Sequence, residues 1–180
     1  MRSPATRIAC LALTITAAAA AAAAQTPTSS QLAKQLVSSL SGSGLGAIAA
    51  RVPGAPDRVV AALAFPDSQL LVVAAPYPDA AAVDSLLANK LYRDVYTALQ
   101  QPSFNKGKVF FQDLGCDGLQ SGPASVDIMY EDGTTQTIFD GNWKKQKISE
   151  AEYQQRVRTA EERYARLLSV LIERARSGSL

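Results

Sequence analysis

Three kinds of hydrophobic pattern alternate along the chain. Leu32, Leu36 and Leu40 recur every fourth residue after Ser29 and Ser30, until Ser41-Gly42-Ser43-Gly44 breaks the run. That spacing puts the leucines on one side of a short helix. Its only cation is Lys34, so the stripe reads as a helix docking on its own domain rather than on a membrane surface.

Val59 to Phe65 and Leu70 to Ala75 are apolar runs separated by Pro66-Asp67-Ser68, which predicts a β-hairpin. Leu70-Leu71-Val72-Val73 does not alternate, as expected of a strand covered on both faces, while the alanines around Val60 leave a helix as a rival for the first arm. After Asp79, a capping residue, Val83, Leu87, Leu91, Val95 and Leu99 predict a helix that Gln101-Pro102 ends. Tyr92 and Tyr96 flank this stripe and read as its core edges.

Val109 to Leu114 predicts a strand, followed by a loop from Gly115-Cys116-Asp117-Gly118 to Gly122-Pro123. Ser125 to Glu131 and Thr134 to Asp140 then flank Asp132-Gly133, the signature of a two-residue type I′ hairpin. That register sets Val126 opposite Phe139, Ile128 opposite Thr137 and Tyr130 opposite Thr135, with Asp127, Glu131 and Gln136 on the face toward water or a ligand.

Ser149 and Glu152 form an S-x-x-E capping box, and Ile148 and Tyr153 occupy hydrophobic-staple positions, so a helix should begin at Glu150 and fray near Gly178. Tyr153, Val157, Ala160, Tyr164, Leu167 or Leu168, Leu171 and Ala175 make its buried stripe. Glu152 with Arg156 and Glu162 with Arg166 are spaced to pair along it. Leu168, Val170 and Ile172 widen the apolar surface near its end; packing along its own domain is the first expectation, and self-association or a partner helix covering Val170 and Ile172 the second.

The element order β-β-α-β-β-β-α behind a weak N-terminal helix predicts an α+β single domain. Its sheet would be largely antiparallel, with about five strands and helices packed on a face. The expected organisation is a signal peptide over 1–24, an Ala/Ser/Gly/Pro-rich segment with a short helix and linker over 25–57, the domain over 58–176 and a tail over 177–180.

The first segment changes the functional picture most. Arg2 and Arg7 supply a positive start, Ile8 to Thr16 an apolar stretch, and Ala17 to Ala24 an Ala-x-Ala cleavage pattern that would leave Gln25 as the new N-terminus. Export to the periplasm or the exterior is the expectation. Cleavage removes two arginines and no acid, taking the net charge from +2 to neutral, which argues against nucleic acid as a partner. No other segment is long and apolar enough to predict an integral membrane span after cleavage.

Histidine is absent, which removes Ser-His-Asp and Cys-His nucleophile systems and His-ligated metals. Cys10 leaves with the signal, so Cys116 is left without an internal disulfide partner, and stability must come from an apolar core. Its loop position beside Asp117 makes it the candidate redox residue, although Asp117 would raise its pKa.

Asp113, Asp117, Asp127 and Asp140 are the candidate catalytic carboxylates. Asp113-x-x-x-Asp117-Gly118 and Asp140-x-Asn142 only partly match calcium-ligand spacing, so no metal site and no cofactor is expected. Trp143 beside Lys144, Lys145 and Lys147 is the candidate binding group for an anionic ligand, glycan or headgroup. The preferred reading of the same residues is a tryptophan sealing the sheet–helix junction with its lysines in solvent. The expected function is a non-catalytic binding or interaction module of the cell envelope or exterior with a protein partner. The competing expectation is a small carboxylate-dependent hydrolase or lyase, with or without a divalent cation.

Overall fold

The apolar runs and stripes assemble into one antiparallel sheet with two helices across a face. The structure, a computed structural model, describes residues 27–40, 46–65, 67–76, 107–131 and 135–177. Among these the order is α1 (Ser29–Leu40), β1 (Gly46–Val52), β2 (Ala55–Phe65), β3 (Gln69–Pro76), β4 (Val109–Leu114), β5 (Ile128–Glu131), β6 (Thr135–Ile138) and α2 (Glu150–Arg176). The six strands form a single sheet in sequence order, each antiparallel to its neighbour. The expected signal peptide, the helix expected after Asp79 and the Asp132-Gly133 turn lie outside the described residues.

β1 is the main departure from the sequence reading, which had placed residues 46–52 in a linker. Gly46-Ala47-Ile48-Ala49-Ala50-Arg51-Val52 has few strong strand formers, yet it pairs with β2 from Gly46↔Ala64 to Val52↔Ala55. The connection is Pro53-Gly54, with Gly54 at φ +77°, the residue pattern of a type II turn. Burial of Ile48 and Ala50 in the core supplies what propensity does not. On the other side of β2, Phe65↔Gln69 closes the predicted hairpin with β3, which settles the first arm as strand rather than helix.

Ile48, Ala50, Val60, Ala62, Leu70, Val72, Phe111, Met129 and Phe139 form one buried cluster with Leu32 and Leu36 of α1 and Tyr164, Leu168 and Leu171 of α2. α2 packs across β1, β2 and β3, where Ala50, Ala62, Ala64 and Ala74 line the same cluster. Small residues on the sheet leave room for the tyrosine and leucines of the helix. Ala49, Val59, Ala61, Leu63 and Val73 form a second buried cluster on the opposite face, which explains why β2 and β3 do not alternate.

α1 lies along α2, and that contact accounts for the apolar width at the end of the long helix. Ile172 is buried within its own chain, as packing of the helix along its own domain requires, and is not left as surface for another protomer. The start of α2 follows the capping prediction: Ser149 is extended (φ −76°, ψ 157°) and its Oγ accepts from Glu152 N at 3.1 Å. The Glu152 carboxylate turns the other way and accepts from Arg156 at 2.8 Å.

The β5–β6 register corrects the predicted hairpin. Ile128 faces Ile138, Met129 faces Thr137 and Glu131 faces Thr135, which leaves three residues between the paired ends instead of two. A slip of one residue reverses the face of every β5 side chain relative to β6. Met129, Thr137 and Phe139 are therefore buried together, Val126 is exposed, and Asp127, expected to face water or a ligand, is only 1% exposed. Beyond β6, the Gln146 side-chain amide donates to Ile138 O at 2.7 Å and accepts from Ile138 N at 3.3 Å. Among the described residues no helix is long and apolar enough to cross a membrane.

Candidate functional site

The clearest concentration of chemistry lies where β4 ends and the chain loops toward β5. Asp113, the penultimate residue of β4, is fully buried. Its Oδ1 accepts from Asp117 N (3.2 Å), and its Oδ2 accepts from Gly118 N (3.0 Å) and from the Tyr164 hydroxyl of α2 (2.9 Å). Asp127, entering β5, holds the other side of the loop: its Oδ1 accepts from Leu114 N (2.9 Å) and its Oδ2 from Gln120 N (2.7 Å). Two buried carboxylates thus take four backbone N–H groups of one loop, donors that would otherwise be costly to bury.

Further contacts tie the loop to both helices. The Glu161 carboxylate of α2 accepts from Ser29 N (2.9 Å) and Ser29 Oγ (2.7 Å), placing an acid at the N-terminus of α1, where the helix dipole favours it. Ser29 Oγ in turn accepts from Leu119 N (3.3 Å). Gly118 sits so close to α1 that a Cβ there would fall 2.4 Å from Ser30 N. At the far end, the Tyr153 hydroxyl accepts from Gly141 N (2.9 Å) and lies 3.4 Å from Ser121 Oγ.

This framework shapes a pocket of about 400 Å³ whose lining includes Leu114, Asp117, Gln120, Pro123, Val126 and Asp127. Val126, 56% exposed, is the one large hydrophobic side chain among the described residues that stands out in solvent. Asp117 Oδ1 is buried without a hydrogen-bond partner, as is Thr137 Oγ1.

The electrostatics follow from burial. Burial pushes the Asp113 carboxyl up to about 6 against the hydrogen bonds from Tyr164, Gly118 and Asp117, with the charge of Asp127 adding to the rise. Burial also raises Asp127, against its bonds from Gln120 and Leu114. Cys116 is pushed up to about 11 by burial and by the surrounding charges of Asp113, Asp117 and Asp67. It is buried and its backbone is left-handed (φ 54°), so it stands at neutral pH as a protonated thiol rather than a nucleophile.

Of the four carboxylates singled out in the sequence, Asp113, Asp117 and Asp127 therefore belong to one loop framework. Asp140 does not share in it: its Oδ1 accepts from Asn142 N (2.9 Å) and lies 3.5 Å from Gln146 Nε2. Among the described residues, no group of three or more acidic, histidine or cysteine side chains is placed to hold a metal ion. Trp143 is half-buried with Lys144 Nζ 5.2 Å from its ring centroid, while Lys144, Lys145 and Lys147 are exposed. The lysines are spread along a turn and do not converge on the pocket lining.

Sequence reasoning missed Tyr164, Ser29, Glu161 and Gly118 as parts of this framework. One signal was present: a tyrosine on a buried stripe needs a partner for its hydroxyl, and a carboxylate is the natural acceptor. Comparison of the chain with known protein families, with curated proteins and with solved structures finds no match.

Proposed function

We propose that this protein is a non-catalytic binding module of the cell envelope or exterior, and that it takes a protein partner at the pocket framed by residues 114–127. One observation carries the reading. Asp113 and Asp127 spend their oxygens holding backbone N–H groups, which makes the loop a fixed platform with Val126 raised at its rim. An exposed aliphatic side chain beside a preformed pocket is what a docking surface offers a partner.

The hydrolase reading draws support from the raised pKa of Asp113 and Asp127, a trait of general acids. Asp113 is fully buried and already accepts three hydrogen bonds, and Asp127 is 1% exposed with both oxygens accepting backbone N–H groups, so neither is free to act on a substrate. Export rests on the Arg2-to-Ala24 pattern. Mass spectrometry of the protein from its native host should find it in the periplasm or medium with an N-terminus near Gln25. Full-length protein retained in the cytosol overturns that part.

The binding reading is tested on the exported protein with a photo-crosslinker placed at position 126 or, as a control, at position 145. A single partner should be captured from position 126 and not from 145. Val126→Glu should abolish capture of that partner by a crosslinker at position 124, while changing stability by less than about 0.5 kcal/mol, as surface substitutions do. Equal capture from positions 126 and 145, or none from 126, overturns the reading.

A further inference from the structure

The loop that frames the pocket is held by acceptors that can themselves take up protons. Asp113 grips Asp117 N and Gly118 N, Asp127 grips Leu114 N and Gln120 N, and both carboxylates are almost wholly buried. An ionised carboxylate is an acceptor only. A protonated one turns one oxygen into a donor and a poor acceptor. Whichever oxygen of Asp113 takes the proton, it already faces a backbone N–H: Asp117 N at Oδ1 or Gly118 N at Oδ2.

The only one of its three donors able to reverse direction is the Tyr164 hydroxyl, 2.9 Å away, which can accept where it now donates. The amides cannot reverse, so protonation must weaken at least one of them. We propose that the Asp113–Asp127 pair is an acid-sensitive latch, which on taking up a proton loosens the loop over residues 114–120 while the sheet and helices keep their packing.

Among the described residues, the titratable groups facing Asp113 agree with this. Asp127 lies across, just before β5, Cys116 and Asp117 in the loop and Tyr164 on α2, all of them acidic or neutral. One hydrogen bond further out, Glu161 holds Ser29, which holds Leu119. Crowded acids in a buried place favour a bound proton, whereas the hydrogen bonds from Gly118, Asp117 and Tyr164 favour the ionised form. Those same bonds are therefore the ones weakened by protonation. The latch concerns the loop itself and acts whether or not the pocket is occupied.

Its signature is a pair of opposite trends. Burial outweighs the hydrogen bonds, so the fold as a whole prefers the protonated form and gains stability in acid, while the loop loses its grip. Amide hydrogen exchange of the whole chain, corrected for the intrinsic pH dependence of exchange, reads both at once. Between pH 7.5 and pH 5.5 the protection of Asp117 and Gly118 should fall roughly tenfold, a change of about 1.4 kcal/mol in local opening. Val72 and Phe111 in the core should hold or gain protection. In Asp113→Asn the loop should exchange at the acid rate at both pH values. Should that variant fail to fold, side-chain carboxyl chemical shifts of the unsubstituted protein decide which group titrates as the loop loosens. Loop protection that stays constant, or that rises with the core, overturns the latch, as does loosening that tracks a carboxyl other than Asp113 or Asp127.

Discussion

Gly118→Ala should be among the most damaging single-methyl additions to this protein, lowering stability by roughly 3 kcal/mol or more. Two costs combine. The backbone at Gly118 is left-handed (φ +88°), which costs a non-glycine residue about 1 to 2 kcal/mol. The new methyl would also lie 2.4 Å from Ser30 N, 2.5 Å from Ser29 Oγ and 2.6 Å from Ser30 Cα, so either the loop or the start of α1 must move. Overpacking of this kind typically costs a further 1 to 3 kcal/mol. Gly54→Ala separates the two terms, because Gly54 has φ +77° with nothing within 4 Å of the added carbon. Urea denaturation midpoints should show Gly118→Ala clearly worse than Gly54→Ala. Equal losses would mean that the loop does not press on α1.

A second large effect concerns pH, and it runs against the usual direction for carboxylates. The Asp113 carboxyl is raised from an ordinary 3.8 to about 6, so between those values the folded chain binds more protons than the unfolded one. Its stabilising contribution is complete below pH 3.8 and is lost as pH rises through about 6. Over that window the change is on the order of 3 kcal/mol for a group so fully buried. Asp127 is shifted in the same direction and adds to the trend. The urea midpoint should therefore be higher at pH 5 than at pH 7.5, and Asp113→Asn should flatten the difference. A midpoint that is flat or lower at pH 5 would show that Asp113 titrates as an ordinary carboxylate.

The sequence carried the elements whose information is local. The α2 start was legible from Ser149 and Glu152 because a cap is decided within four residues, and Ser149 Oγ does accept from Glu152 N. The β2–β3 hairpin was legible from two apolar runs and the turn between them. β1 was not, since alanine and glycine carry little strand preference and its stability comes from packing under α1 and α2. The β5–β6 hairpin shows a finer limit. The antiparallel pairing of these two strands was legible, but the number of residues between paired ends depends on which β5 side chains the core accepts, and it accepts Met129. The candidate site was half visible: spacing drew attention to Asp113, Asp117 and Asp127. Their partner Tyr164, the press of Gly118 on α1 and the Ser29–Glu161 tie are set by contacts between residues far apart in sequence.

The Gln146 amide that bonds both backbone groups of Ile138 has a consequence for the behaviour of this protein in concentrated solution. Among the described residues β6 is the last strand of the sheet, and Thr135-Gln136-Thr137-Ile138 carries none of the charges or prolines that usually blunt such a strand. An outermost strand left bare is a template on which another chain can lay its own backbone. By occupying the donor and acceptor of Ile138 with a single side chain, Gln146 ends the ladder from within the molecule, and growth of the sheet from one copy to the next loses its first foothold.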